Sequence, residues 1–224
     1  MIQLLDVHKS YQGRTVLDGV TLEIPSHRVF GLLGCNGAGK TTTLNLILGN
    51  LVPDSGSVAV HGRTAYIPEN VALYGELSGL ENLVYFSALA GVMEQKGHFR
   101  RILLELGLAS EALDRRAGTY SKGMRQRVAI AIALAKGANV LLLDEPTSGL
   151  DPDAVVALSQ ILRKVADQGG AVLLTTHDLW HLSLDCDEIA ILHHGRITDQ
   201  FPSSGKSANQ LSKRFMEGTG RACQ

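Results

Sequence analysis

One run constrains this chain more than any other: Gly34-Cys35-Asn36-Gly37-Ala38-Gly39-Lys40-Thr41-Thr42. It follows the apolar stretch Val29-Phe30-Gly31-Leu32-Leu33, which reads as a buried strand. It precedes Leu44-Asn45-Leu46-Ile47-Leu48, which reads as the start of a helix. Glycines at this spacing let the backbone curl until successive N–H groups point into one concavity, and the following helix aims the positive end of its dipole at the same place. The expected occupant is a phosphate chain. Lys40 would reach its β- and γ-phosphates, and the Thr41 hydroxyl would complete the coordination of a magnesium ion. A glycine-rich turn that holds nothing is disfavoured, because strand, spacing, lysine and threonine occur together.

The chain has 224 residues and is 45% hydrophobic, enough for a well-buried α/β core in one compact cassette. A formal net charge of -1 gives no bulk attraction to nucleic acid or anionic lipid, so partners must be recognised by local surfaces. No apolar run approaches the ~20 residues of a bilayer span. The first residues lack the basic start and long apolar stretch of a signal peptide, so the expected location is the cytoplasm. Cys35, Cys186 and Cys223 are scattered and form neither a disulfide framework nor a zinc pattern. Cys35, beside a helix N-terminus and Lys40, is expected to be a reactive thiol.

Along the chain, residues 2–7, 15–17, 20–24 and 29–33 read as short strands, an antiparallel layer leading into the strand before the phosphate loop. Tyr11 falls between two of them, where its ring stacks on a base or packs on the sheet. Ser78 and Glu81 have capping-box spacing and open a helical stretch that persists to about Gly107. Residues 128–135 are apolar on every side, which predicts a helix buried all round. Val140-Leu141-Leu142-Leu143 reads as a central parallel strand ending in Asp144-Glu145. Asp151-Pro152 caps a helix reaching about Gln168, and residues 171–175 form the next buried strand, with His177 just past its end. Ligands collect at the carboxyl ends of parallel strands, so the phosphate loop, Asp144, Glu145 and His177 should converge. Residues 188–193 and 196–199 read as a hairpin turned at Gly195, and residues 201–224 as a small helix with a frayed end. His193 and His194 suggest no metal site, since neighbours in a strand point to opposite faces.

With the phosphate loop, Tyr120-Ser121-Lys122-Gly123-Met124-Arg125-Gln126-Arg127, Asp144-Glu145, Ser148-Gly149-Leu150-Asp151 and His177 in this order, the chain resembles the ATP-binding subunits of ABC transporters. The likeness runs from Lys9 to about Gly195. Tyr66-Ile67-Pro68-Glu69-Asn70 and the run from Tyr120 look most like exporters of the ABC-2 class, and within it the ATPases of copper-processing transporters that serve nitrous oxide reductase assembly. A drug, peptide or lipid exporter is the alternative, and a soluble ATPase of iron-sulfur assembly a more distant one.

The resemblance implies an α/β P-loop NTPase of the ABC ATPase cassette type, with a mixed core sheet, an antiparallel β layer and an inserted helical subdomain. Residues 1–69 and 137–200 would be the core, 70–136 the helical subdomain and 201–224 a C-terminal tail. It implies ATP held by Tyr11, Asn36, Gly37, Gly39, Lys40, Thr41 and Thr42, and Mg²⁺ held by Thr41, Glu69 and, through water, Asp144. Glu145 would polarise the attacking water, with His177 and Lys40 completing the catalytic set. Ser121, Gly123 and Asp151 would meet the nucleotide of a second copy in a head-to-tail homodimer. A separate permease, received at residues 69–74, would hold the subunit on the inner face of the cell membrane, and no nucleic acid is implied. The chain departs from the family pattern at Lys122 (glycine is usual), Glu69 (glutamine), Cys35 (proline) and in a short segment between Gly62 and Tyr66.

Overall fold

The computed structural model describes residues 1–177, 186–203 and 208–219; the expected frayed end and Cys223 lie outside them. Two sheets organise the described chain. In the first, β1 (Ile2–Tyr11) runs antiparallel to β2 (Arg14–Ile24) on one side and to β4 (Ser55–Val60) on the other. Gln12 (φ 50°) and Gly13 (φ 80°) join β1 to β2, a pair of left-handed residues that matches the twist of a tight hairpin. The runs 15–17 and 20–24, expected as two strands, form one. Register shifts between Leu4 and Lys9, with positive φ at Asp6 and Gly19, absorb the irregularity as bulges.

The second sheet has the order β5-β6-β7-β3-β8-β9. Its parallel members are β5 (Thr64–Ile67), β6 (Val140–Asp144), β7 (Ala171–Thr176), β3 (Arg28–Leu33) and β8 (Glu188–His193). β9 (Arg196–Pro202) returns antiparallel along β8. Alternation along these strands serves two cores at once. Val29, Leu33, Leu141, Leu143, Val172, Leu174, Ile189 and Ile191 face a core shared with the helices. Phe30, Leu32, Val140, Leu142, Ala171, Leu173, Ala190 and Leu192 face a second core closed by Ile2, Leu4, Leu22 and Ile24 of the antiparallel sheet. Burial on both faces explains why β3, β6 and β7 read as unbroken apolar runs.

Helix α1 (Lys40–Ile47) follows the phosphate loop. The inserted region holds α2 (Gly79–Leu89), α3 (Lys96–Glu105) and α4 (Lys122–Ala135), whose Leu83, Phe99, Leu103, Val128 and Ile130 join the same core as Leu141 and Val172. The Ser78–Glu81 capping box forms as expected. The stretch read as helical to Gly107 divides, because α2 closes at Ala90 with Gly91 at φ 77° behind it, a glycine stop. The all-round burial expected of α4 is also corrected. Val128, Ile130, Ala131 and Ala133 are buried, while Ala129, Ile132, Leu134 and Ala135 stay half-exposed. α5 (Pro152–Asp167) is capped by the Asp151 carboxylate accepting from Ala154 N at 2.8 Å, and α6 (Ala208–Thr219) ends the described chain.

An ionic clasp ties α5 to the strand before the phosphate loop. Arg163 donates to both carboxylate oxygens of Asp187 (2.9 and 2.8 Å) and to the carbonyl of His27 (3.1 Å), while Asp187 accepts from Val29 N at 2.8 Å. Burial alone would raise the Asp187 pKa. The Val29 N–H, Arg163 and Arg28 outweigh it and hold the carboxyl below its ordinary value of 3.8. Folded Asp187 thus binds protons less readily than unfolded Asp187, stabilises the fold above that ordinary value, and loses the contribution as pH falls through its lowered folded value. Asp187→Ala is expected to cost about 2 kcal/mol near neutral pH, because it leaves Val29 N–H without its acceptor and Arg163 with only the His27 carbonyl and Asp167. Urea unfolding followed against pH should show the gap to the unaltered protein narrowing below about pH 4.

Candidate active site

Parallel pairing brings three strand ends to one edge. β3 runs out at Leu33 into the phosphate loop, β6 at Asp144, and β7 at Thr176, one residue before His177. Gly34 N donates to the carbonyl of Thr176 (3.1 Å) and Glu145 N to that of Thr175 (3.1 Å), which straps the three turns together. Gly39 caps α1 at φ 114°, and a Cβ there would lie 2.6 Å from Leu17 Cδ2. The left-handed φ, with the Val16 carbonyl oxygen only 3.1 Å from that Cβ, favours glycine at this position.

Lys40 is buried, donates to the Gly34 carbonyl at 2.6 Å and lies 3.3 Å from Glu145 Oε1. Glu145 is itself largely buried and sits at φ 47°, a left-handed conformation for a residue with a Cβ. His177 Nδ1 is 3.0 Å from Glu145 Oε1, and His177 N donates to Oε2 at 3.3 Å. Asp144 accepts from Thr175 Oγ1 (2.6 Å) and from the Tyr66 hydroxyl (3.2 Å). Burial, then the Asp144 charge, push Tyr66 up to about 12, so it remains a neutral donor. Glu69 accepts from Ser148 Oγ (2.9 Å) and Lys122 Nζ (3.5 Å). The Ser148 hydroxyl first, and then the Lys122 charge, hold its carboxyl below the usual range.

A cleft of about 740 Å³ collects Tyr11, Asn36, Gly37, Gly39, Lys40, Thr41, Thr42, Glu69, Asp144 and Glu145 along its lining. Of its three carboxylates, Glu69 and Asp144, with the Thr41 hydroxyl, are the hard oxygen ligands that would suit Mg²⁺ when phosphate oxygens and water complete the shell. Ser121, Gly123, Asp151 and His177 are not in the lining. Ser121 caps α4, accepting from Met124 N at 3.3 Å. A Cβ on Gly123 would meet Ala154 Cβ at 3.5 Å and Leu150 Cδ2 at 3.6 Å, so the N-terminal ends of α4 and α5 lie side by side. Asp151 holds the capping bond described above.

Arg14, Val16 and His194 also line the cleft, and sequence reasoning missed all three. Arg14 pairs with Tyr11 across the first hairpin, which the Gln12-Gly13 turn could have signalled. His194 had no such signal. It arrives because Gly195 N donates to the Ala38 carbonyl and Asp18 N to the Gly195 carbonyl, carrying the β8–β9 turn to the loop. His194 leaves the strand at φ 45°, so the rings of His193 and His194 lie 4.1 Å apart instead of on opposite faces. Cys35, partly buried against the helical core, takes part in a disulfide, which overturns the expected reactive thiol and the expected absence of disulfides; Cys186 is buried.

A family model described as ABC transporter matches residues 17–148. The chain is 37% identical over 213 residues to the uncharacterized ABC transporter ATP-binding protein YhcH of Bacillus subtilis, covering 89% of this chain and 69% of that protein. It is 35% identical over 232 residues to the daunorubicin/doxorubicin resistance ATP-binding protein DrrA of Streptomyces peucetius, covering 96% of this chain and 70% of that protein. Against ATP-binding cassette sub-family A member 7 of Rattus norvegicus it is 38% identical over 234 residues, 97% of this chain but 10% of that much longer protein. Among solved structures, an ATP-binding subunit of an ABC transporter superposes with a TM-score of 0.81 at 30% identity, covering 96% of this chain and 99% of the other. A dimeric cassette, MJ0796 bound to ADP and Pi, gives 0.79 at 25% identity, covering 92% of this chain and 100% of the other.

Proposed function

The chain belongs to the ABC transporter family of ATP-binding subunits, ATPases that take ATP and Mg²⁺, and from that premise we propose that it powers an ABC-2-type exporter as a head-to-tail homodimer. The observation that carries the catalytic part is the Glu145 carboxylate standing between Lys40 Nζ (3.3 Å) and His177 Nδ1 (3.0 Å) at the edge where three parallel strands end. Lys40 supplies positive charge to the phosphate chain, Glu145 polarises the attacking water, and His177 fixes that water's position. Catalysis of this kind is mostly positioning and charge stabilisation. Tyr11 stacks on the base, Asn36, Gly37, Gly39 and Thr42 hold the phosphates, and Thr41, Asp144 and Glu69 hold Mg²⁺. For Glu69, replacement by alanine is expected to raise the Mg²⁺ needed for half-maximal hydrolysis about tenfold. Glu69→Gln should fall between, since an amide keeps the Ser148 hydrogen bond and loses the charge. A Mg²⁺ titration of ATPase rate that leaves the two variants indistinguishable would remove Glu69 from the metal site.

Ser121, Gly123 and Asp151 stand on adjoining helix ends outside the cleft, which supports their meeting the nucleotide of a second copy. Residues 1–69 and 137–200 serve as the nucleotide core, 70–136 as the helical unit and 201–224 as a tail. For the permease we favour the aromatic surface beyond residue 69. Tyr74, Tyr85 and Phe86 contact one another with ring centroids 5.1 to 5.7 Å apart, and Tyr74 is 52% exposed. Asn82 accepts from Tyr74 N at 2.9 Å and donates to its carbonyl at 3.1 Å, which fixes the segment. Such a surface fits an apolar helix of a separate membrane subunit. Among the described residues, no helix of the chain itself is long and apolar enough to cross a membrane.

Export is supported by a relative whose name states it, the Nod factor export ATP-binding protein I of Burkholderia lata, 33% identical over 208 residues. The finer reading, handling of copper or sulfur species for nitrous oxide reductase maturation, rests on the runs beginning at Tyr66 and Tyr120. Purification of the tagged chain from membranes, with identification of what travels with it, decides among these readings. A polytopic permease supports export and its identity names the cargo class. A soluble scaffold protein would move the assignment to iron-sulfur assembly.

A further inference from the structure

Helix α4 reaches the turn that carries Glu145 through one buried side chain. Gln126, 1% exposed, donates from Nε2 to the carbonyl of Pro146, the residue after Glu145. The other end of the amide, Oε1, is buried without a hydrogen-bond partner among the described residues. An apolar side chain of similar volume would fill this space without stranding an acceptor, so packing does not account for a glutamine here. What glutamine adds is the bond to Pro146.

That bond matters because of the backbone it restrains. Glu145 is held at φ 47°, a conformation that persists only when its surroundings over-determine it. Three tethers do so. Glu145 N donates to the Thr175 carbonyl on β7 (3.1 Å), the Glu145 carbonyl accepts from Ser148 N within the turn (3.2 Å), and the Pro146 carbonyl accepts from Gln126. The first two stay within the sheet and the turn itself. Only Gln126, among these, reaches in from the helical region, on the helix that Ser121 caps five residues earlier.

We propose that Gln126 is a positioning residue for ATP hydrolysis: its amide fixes the Pro146 carbonyl, and with it the orientation of Glu145, to helix α4. The inference rests on Glu145 as the group that polarises water. It makes the Ser121 end of α4 and the Glu145 turn move as one body, so an event at Ser121 reaches the carboxylate of the same chain through Gln126.

The test uses the full chain with Mg-ATP and three variants. Gln126→Met keeps the volume and removes the donor. Its kcat is expected to fall about tenfold or more, as small misplacements of a catalytic group do, with affinity for a fluorescent ATP analogue within about twofold of the unaltered protein. Gln126→Glu supplies a donor only when protonated, and burial raises that carboxyl's pKa. Its rate relative to the unaltered protein at the same pH is expected to climb as pH falls from about 8 to about 6, a signature that loss of packing would not produce. The second variant stands alone if the first fails to fold. A Gln126→Met rate within about twofold of normal, a fall in nucleotide affinity matching the fall in kcat, or a Gln126→Glu ratio that does not climb overturns the proposal. Glu145→Gln is assayed alongside. If it hydrolyses ATP within about tenfold of the normal rate, the reading of Glu145 fails and the inference with it; if it is slowed about a hundredfold or more while Gln126→Met is normal, the inference fails alone.

Discussion

Glu145→Gln is expected to bind Mg-ATP and to turn it over about a thousandfold more slowly than the unaltered protein, the range that loss of a general base produces. The amide keeps the shape and the hydrogen-bonding reach of the carboxylate, including the acceptor for His177 N. It loses the charge that polarises water and that faces Lys40 at 3.3 Å. Binding and hydrolysis should therefore separate, and on the proposed head-to-tail model a dimer closed on ATP should accumulate because the step that reopens it is slowed. Size-exclusion chromatography with light scattering at saturating Mg-ATP reads this directly. A monomer under those conditions, with ATP shown to be bound, sinks the head-to-tail model even if hydrolysis is abolished.

Lys40→Ala fails earlier. Its ammonium is nearly buried and held by the Gly34 carbonyl at 2.6 Å, and no other lysine or arginine of the phosphate loop run stands with it. Removing a buried charge that meets an anionic ligand costs about 3 kcal/mol of binding, roughly a hundredfold in affinity. Equilibrium titration with a fluorescent ATP analogue measures the loss. Affinity within about threefold of the unaltered protein would mean that the phosphates do not lie against Lys40. The two variants should thus differ in kind: one holds ATP and consumes it very slowly, the other binds it about a hundredfold more weakly.

What could be read from the sequence follows from which forces are local. The phosphate loop and Asp144-Glu145 were legible because an apolar run that stops at glycine or carboxylate marks a strand end, and parallel strands bring such ends to one edge. The capping bonds of Ser78 and Asp151 were legible because they span three residues. The breadth of α4's burial was misread because alanines such as Ala129 and Ala135 count as apolar yet lie half-open. The break between α2 and α3 turns on Gly91, whose left-handed φ is visible only in the structure. His194 and the Gln126–Pro146 bond were beyond reach for a different reason. Each depends on how distant elements pair, β8 beside β3 in one case and α4 against the turn after β6 in the other, and no spacing along the chain encodes that.

Ser121 and Asp151 lie outside the cleft that holds Lys40 and Glu145. In the proposed head-to-tail pair each catalytic centre would draw its phosphate loop from one copy and its α4 end from the other, which would give the protein an allele arithmetic. Homodimers of a Lys40→Ala chain contain no working centre, and neither do homodimers of a chain disabled at Ser121. When the two chains are mixed, half of the randomly formed pairs are heterodimers, and each of those contains one doubly damaged centre and one that is intact. Two inactive proteins should therefore restore activity to each other on mixing, whereas two different phosphate-loop variants should not.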